Sequence, residues 1–157
     1  MFHIILFAPQ IPPNTGNIIR LSANTGATLH LIEPLGFRLD EKSCRRAGLD
    51  YHALADLHLH KNLDDCIAAL GTARLFAITS HGPASVFDSQ FAPGDAFLFG
   101  SETAGLPDEV HARFSRSQKL RLPMIAGNRS LNLANAASIV VYEAWRQTGF
   151  AVTGKDP

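Results

Sequence analysis

Short apolar runs that halt at proline- or glycine-rich turns and then give way to helical periodicity recur along the whole chain, and this alternation limits the folds open to it. Phe2 to Ala8 is an apolar run closed by Pro9 and by Pro12-Pro13, which predicts a buried strand and a turn, with Asn14 capping a helix that runs to about Asn24. Thr28 to Glu33, Arg74 to Ser80, Ala96 to Phe99 and Lys119 to Leu122 are further strand candidates. Helices are expected over Asp40 to Ala47, from Asn62 to a stop at Gly71, over Asp108 to Phe114, and from about Leu131 to Thr148 before Gly149. Strands that are apolar on both faces and alternate with helices predict an α/β fold, a mainly parallel sheet with helices on both faces.

The chain has 157 residues, 46% of them hydrophobic and 18% charged, which suits one compact domain with about 151–157 as a polar tail. Fourteen basic and fourteen acidic side chains cancel, so any nucleic-acid contact must come from a local patch or one shared across an oligomer. Cys44 and Cys66 lack C-x-x-C spacing and read as unreactive thiols of a reducing compartment. With no basic leader and no apolar run approaching the ~18 residues of a membrane span, a cytosolic protein is expected. His58 and His60 put two imidazoles on one strand face, but no neighbouring Cys, Asp or Glu in the sequence completes a ligand set, and no metal is expected.

Open α/β sheets bind ligands beyond the C-terminal ends of their strands, and three turns rich in Gly, Ser or Asn fall at such ends: Asn14 to Arg20, Gly100 to Pro107, and Pro123 to Asn135. None is a G-x-G-x-x-G or G-x-x-x-x-G-K-[ST] sequence, so a cofactor gripped by its pyrophosphate is disfavoured, and with it a flavodoxin-like oxidoreductase. Each turn alone is ordinary loop chemistry. Together, Asn14-Thr15-Gly16-Asn17-Ile18-Ile19-Arg20, Phe99-Gly100-Ser101-Glu102-Thr103-Ala104-Gly105-Leu106-Pro107, and Leu122-Pro123-Met124 with Ser130-Leu131-Asn132-Leu133 resemble, in order and spacing, the three motifs of the SpoU branch of the SPOUT superfamily of RNA methyltransferases. The runs Arg45-Arg46-Ala47-Gly48-Leu49-Asp50-Tyr51-His52 and Val140 to Gln147 resemble the minimal members that 2′-O-methylate the wobble cytidine or uridine of tRNA anticodons.

That resemblance implies a C-terminal trefoil knot, a homodimer with its site at the interface, S-adenosylmethionine as methyl donor without a metal, and tRNA as substrate. Carried over by position, it puts Ile78, Gly100, Leu122, Ser130 and Leu131 around the cofactor, where backbone groups read the adenine edge and Ile78, Leu122, Met124 and Leu131 form apolar walls. It gives the catalytic role to Arg20, with Glu102 holding that guanidinium and Asn132 hydrogen-bonding nearby. Guanidinium is a poor general base, so Arg20 is expected to orient the ribose-phosphate and stabilise the developing alkoxide. Arg129 and the Arg45, Arg46 pair are expected at RNA phosphates, with Lys42 on a solvated face, and Tyr142 at the dimer interface or the substrate. Position 134 is Ala where related motifs often carry Ser. A noncatalytic RNA- or adenosine-ligand-binding protein of the same fold is the alternative, although such a module would not need all three loops in matching form.

Overall fold

In a computed structural model, which describes residues 1–39, 57–128 and 130–151, the alternation becomes a seven-stranded sheet. The strands are β1 (His3–Phe7), β2 (Thr28–Ile32), β3 (Leu57–His60), β4 (Leu75–Ile78), β5 (Ala84–Ser85), β6 (Ala96–Phe99) and β7 (Lys119–Arg121). They lie in the order β3-β2-β1-β6-β4-β7-β5, and every pairing is parallel. The helices are α1 (Pro12–Thr25), α2 (Leu63–Leu70), the single turn α3 (Asp108–His111) and α4 (Leu133–Gln147). The expected helix over Asp40 to Ala47 lies outside the described residues.

Side chains alternate across the sheet and so divide the core in two. Ile4, Leu6, Leu29, Leu31, Phe97 and Phe99 face Ile18 and Ile19 of α1 and Val140 and Val141 of α4. Ile5, Ile32, Ala77 and Leu98 face Leu63 and Cys66 of α2 and Val110 of α3. Helices therefore cover both faces, which is why the strands read as continuously apolar. The buried carboxylate of Asp95, at the start of β6, is held by Arg74 through Nε and Nη2 at 2.7 and 2.6 Å, so this charge does not lie unpaired in the interior.

Several boundaries differ from expectation, three of them for identifiable reasons. Helix α1 starts at Pro12, not after an Asn14 cap: Pro12 and Pro13 occupy the first turn, where a missing N–H costs nothing, and Ile11 is the N-cap. Helix α4 starts at Leu133, because Asn132 Oδ1 accepts from the N–H groups of Ala134 and Asn135 at 2.9 and 3.3 Å. The strand expected to reach Ser80 ends at Ile78, where the chain turns across its neighbour.

That crossing organises the C-terminal half of the sheet. Ile78 of β4 and Ala84 of β5 both take Leu120 of β7 as register partner, one from each side. Residues 79–83 thus pass over β7 from one flank to the other. Thr79 N–H donates to Leu120 O at 2.9 Å, and Arg121 Nη1 donates to Gly82 O at 3.1 Å. A Cβ on Gly82 would sit 2.5 Å from Leu120 C, so only glycine lets the crossing segment lie this close to the strand beneath it.

Candidate functional site

The C-terminal ends of β4, β6 and β7 open into one cavity of ≈ 610 Å³, within the size range of small-molecule sites. Its walls contain all five residues expected at the cofactor: Ile78, Gly100, Leu122, Ser130 and Leu131. Glu102, Asn132, Asn14 and Met124 also line it. Ile78 and Leu122 are buried, while Met124 and Leu131 remain 37% and 41% exposed, so an apolar rim faces solvent beside the opening.

The Gly100 to Pro107 turn is closed on itself. Ser101 and Gly105 exchange both backbone hydrogen bonds, at 3.1 and 2.9 Å, with Gly105 at φ +69°. A Cβ on Gly100 would fall 2.1 Å from Gly105 C. Glycine at position 100 is therefore required by the folding of the turn back over it, and Gly105 supplies the left-handed residue that reverses the chain.

Glu102 projects from this turn to the start of α1. Its Oε2 accepts from Gln10 N–H at 2.8 Å, and its Oε1 accepts from Ile11 N–H at 3.1 Å and Asn14 Nδ2 at 3.0 Å. An anionic carboxylate suits the unpaired N–H groups and positive end of a helix. Asn14, 5% exposed, receives a bond from Asn132 Nδ2 through its own Oδ1 at 2.8 Å. The three turns singled out in the sequence are thus linked in series: Glu102 to Asn14, Asn14 to Asn132, and Asn132 to the first N–H groups of α4.

This arrangement corrects the expected pairing of Glu102 with Arg20. Both carboxylate oxygens of Glu102 are engaged at the start of α1, whereas Arg20 lies on an exposed face of that helix and does not line the cavity. Among the described residues no hydrogen bond or ion pair holds its guanidinium. Asn14, read as a helix cap and as the first residue of the first motif, was given no part in the site, and the structure makes it the middle member of this series. Its position before Gly16 in the first motif was the available signal. Tyr142 is 46% exposed on α4 with its ring edge-on to Trp145. Arg45, Arg46 and Arg129 lie outside the described residues.

Away from the cavity, the sheet brings four histidines together. His30 on β2 accepts or donates at both ring nitrogens, with Nε2 3.1 Å from His3 Nδ1 and Nδ1 2.9 Å from His60 Nε2, and it stacks on His58. Burial, reinforced by the neighbouring imidazoles, pushes the His30 pKa down to about 3, and His3 and His60 shift down for the same first reason. Burial also raises the Cys66 thiol to about 11. The sequence showed no cysteine beside His58 and His60, but the first turn of α2 carries Cys66 over the sheet to His60 and His30, so that these three present donor atoms within 4.8 Å of one another.

Comparison with known proteins identifies the family. Residues 1–142 match the model of the SpoU rRNA Methylase family. A tRNA (cytidine(34)-2′-O)-methyltransferase from Burkholderia ambifaria is 59% identical over 152 residues, covering 96% of this chain and 97% of that protein. A solved structure concerned with 2-OH methylation of C/U34 on tRNA superimposes with a TM-score of 0.86 at 47% identity, over 95% of this chain and 97% of that one. An AdoMet-bound rRNA methyltransferase from Sinorhizobium meliloti gives a TM-score of 0.78 at 26% identity, over 92% of this chain and 56% of that one.

Proposed function

Because the chain belongs to the SpoU rRNA methylase family, we propose that it transfers a methyl group from S-adenosylmethionine to the ribose 2′-oxygen of the wobble nucleotide, cytidine or uridine, in tRNA anticodon loops. The observation that carries the reading is the Glu102–Asn14–Asn132 series, which ties all three family motifs into the walls of one cavity. A relative 59% identical over nearly the full chain supports the tRNA substrate and the position.

The cavity suits the donor chemically. Its ends are backbone-rich turns and its walls apolar, which fits a neutral adenosine and a sulfonium methyl better than a phosphorylated dinucleotide. S-adenosylmethionine supplies an activated methyl, whose transfer leaves a neutral thioether. The chain's own residues then have three tasks. Ile78, Leu122 and Leu131 exclude water from the donor, and Gly100 and Ser130 offer main-chain hydrogen bonds to it. Arg20 orients the ribose-phosphate and stabilises the oxygen as its proton leaves.

Arg20 is absent from the cavity of its own chain, and this favours a homodimer in which each copy offers its guanidinium across the interface. The exposed apolar side chains of Ile125, Leu131, Ile139 and Tyr142 supply a surface for that association. Arg45, Arg46 and Arg129 complete the reading at the tRNA backbone, and a cytoplasmic location follows from the substrate. The trefoil knot belongs to the same reading and is supported by the crossing of residues 79–83 over β7, which supplies an arch for the C-terminal segment to thread.

The test is transfer of labelled methyl from S-adenosylmethionine to bulk tRNA lacking the modification, followed by nucleoside mapping, with Arg20→Ala protein alongside. A 2′-O-methylated wobble nucleotide made only by the wild type is expected. Cofactor binding without transfer to any tRNA would overturn the assignment.

A further inference from the structure

We propose that His30, His60 and Cys66 form a binding site for a zinc-type divalent cation, separate from the methyl-transfer cavity. The three side chains come from three elements, β2, β3 and the first turn of α2, and their donor atoms already lie within 4.8 Å of one another. None of them lines the cavity.

The donor chemistry selects the cation. Two imidazole nitrogens and a thiolate match tetrahedral zinc and disfavour the hard, oxygen-seeking magnesium and calcium. Bond lengths of about 2.05 Å to nitrogen and 2.3 Å to sulfur put tetrahedral donors about 3.3–3.6 Å apart. His30 Nδ1 and His60 Nε2, at 2.9 Å, need open by only a few tenths of an ångström, and Cys66 Sγ, already within 4.8 Å of both, has at most about an ångström to close. On binding, the Cys66 thiol releases its proton to solvent as the metal–sulfur bond forms, and His60 moves its ring proton from Nε2 to Nδ1, so that the hydrogen bond between the two imidazoles gives way to two metal–nitrogen bonds.

Two further features favour a ligand set over chance proximity. Cys66 is 0% exposed and His30 5% exposed, so two of the three donors meet at the buried margin of this apolar cluster, out of reach of bulk water. His30 also has an orienting partner: with Nδ1 turned to the metal, Nε2–H donates to His3 Nδ1 at 3.1 Å, the kind of outer contact that fixes the tautomer of a ligating histidine. His58, stacked on His30 at 5.1 Å between ring centroids, or a water completes the tetrahedron. An ion there clips edge strand β3 and helix α2 to β2.

The experiment uses untagged, full-length protein stripped by chelator and titrated with Co²⁺ as a spectroscopic substitute for Zn²⁺. One Co²⁺ per chain is expected, with intense tetrahedral visible bands and a thiolate-to-cobalt charge-transfer band, all abolished by added Zn²⁺. Cys66→Ser should lose the charge-transfer band. His60→Ala, a change at a partly exposed position of the edge strand that leaves the core intact, should weaken binding by roughly tenfold or more. Absence of the bands in the wild type, retention of the charge-transfer band in Cys66→Ser, or wild-type affinity in His60→Ala would overturn the assignment.

Discussion

Asn132 Nδ2 donates to Asn14 Oδ1 at 2.8 Å, joining residues 118 positions apart at the point where helices α1 and α4 begin. The direction of this bond is set from the other side of Asn14. Its Nδ2 must donate to the Glu102 carboxylate, which has no proton to give, so its Oδ1 is left to accept from Asn132. Asn132 in turn has its own oxygen committed to the cap of α4. The series has one polarity, and each member constrains the next.

Substitution of Asn132 by Asp should therefore separate its two duties. Aspartate keeps the cap but sets a carboxylate oxygen against Asn14 Oδ1, and Asn14 cannot flip without turning its oxygen on Glu102. Asn132→Ala loses both the cap and the bond to a buried acceptor, and should cost about 2 kcal/mol. In urea unfolding, Asn132→Asp should retain most of the helical stability yet bind S-adenosylmethionine several-fold more weakly, because the cavity wall shifts. Equal affinity to wild type would contradict the constraint.

Glu102 and Arg20 should act independently. Since Glu102 spends its oxygens at Gln10, Ile11 and Asn14, Glu102→Gln should raise the Kd for the cofactor by introducing an N–H where donors already point. Arg20→Ala should leave that Kd unchanged and lower kcat on tRNA. The double variant should show additive losses in log kcat/KM. A coupling larger than about 1 kcal/mol would restore the pairing that the geometry rejects.

A lysine at position 20 keeps the charge without the planar fork. If Arg20 orients a ribose-phosphate, Arg20→Lys should lose at least tenfold in kcat, with little change in the salt dependence of tRNA binding. Near-normal kcat would remove the orienting role.

Gly82→Ala should be among the most destabilising changes outside the hydrophobic core. The added methyl meets backbone atoms of Leu120 at 2.5 Å and of Arg121 at 2.9 Å, which cannot rotate aside, so a loss of about 2 kcal/mol or more is expected in chemical unfolding. Arg121→Met, which removes only the side-chain bond to Gly82 O, should cost about 1 kcal/mol. Equal effects of the two changes would count against steric closeness as the reason for glycine.

Much of this was legible in residue order. The apolar runs located five of the strands, and the three turns located the cavity, because both signals are local. Strand β3 was legible only through the one strand face shared by His58 and His60, without bounds, because four residues carry little periodicity, and β5 escaped because two residues carry none. The Asn14 contact and the approach of Cys66 to His30 depend on side chains brought together from distant segments, which spacing alone does not encode. Glu102 shows the same limit: its residue type marked it as a partner for a cation, and only the fold shows backbone N–H groups within its reach.

The arch over β7 also bears on the order in which a ribosome delivers the chain. Residues 79–83 are synthesised well before Leu120, yet they reach their final position only by lying across it. The nascent chain must hold this segment unseated until the strand beneath it emerges. Because Thr79, Ser80 and His81 of the arch form part of the cavity wall, no shortened product of translation that stops before β7 can complete this cavity, even with the Gly100 to Pro107 turn already made.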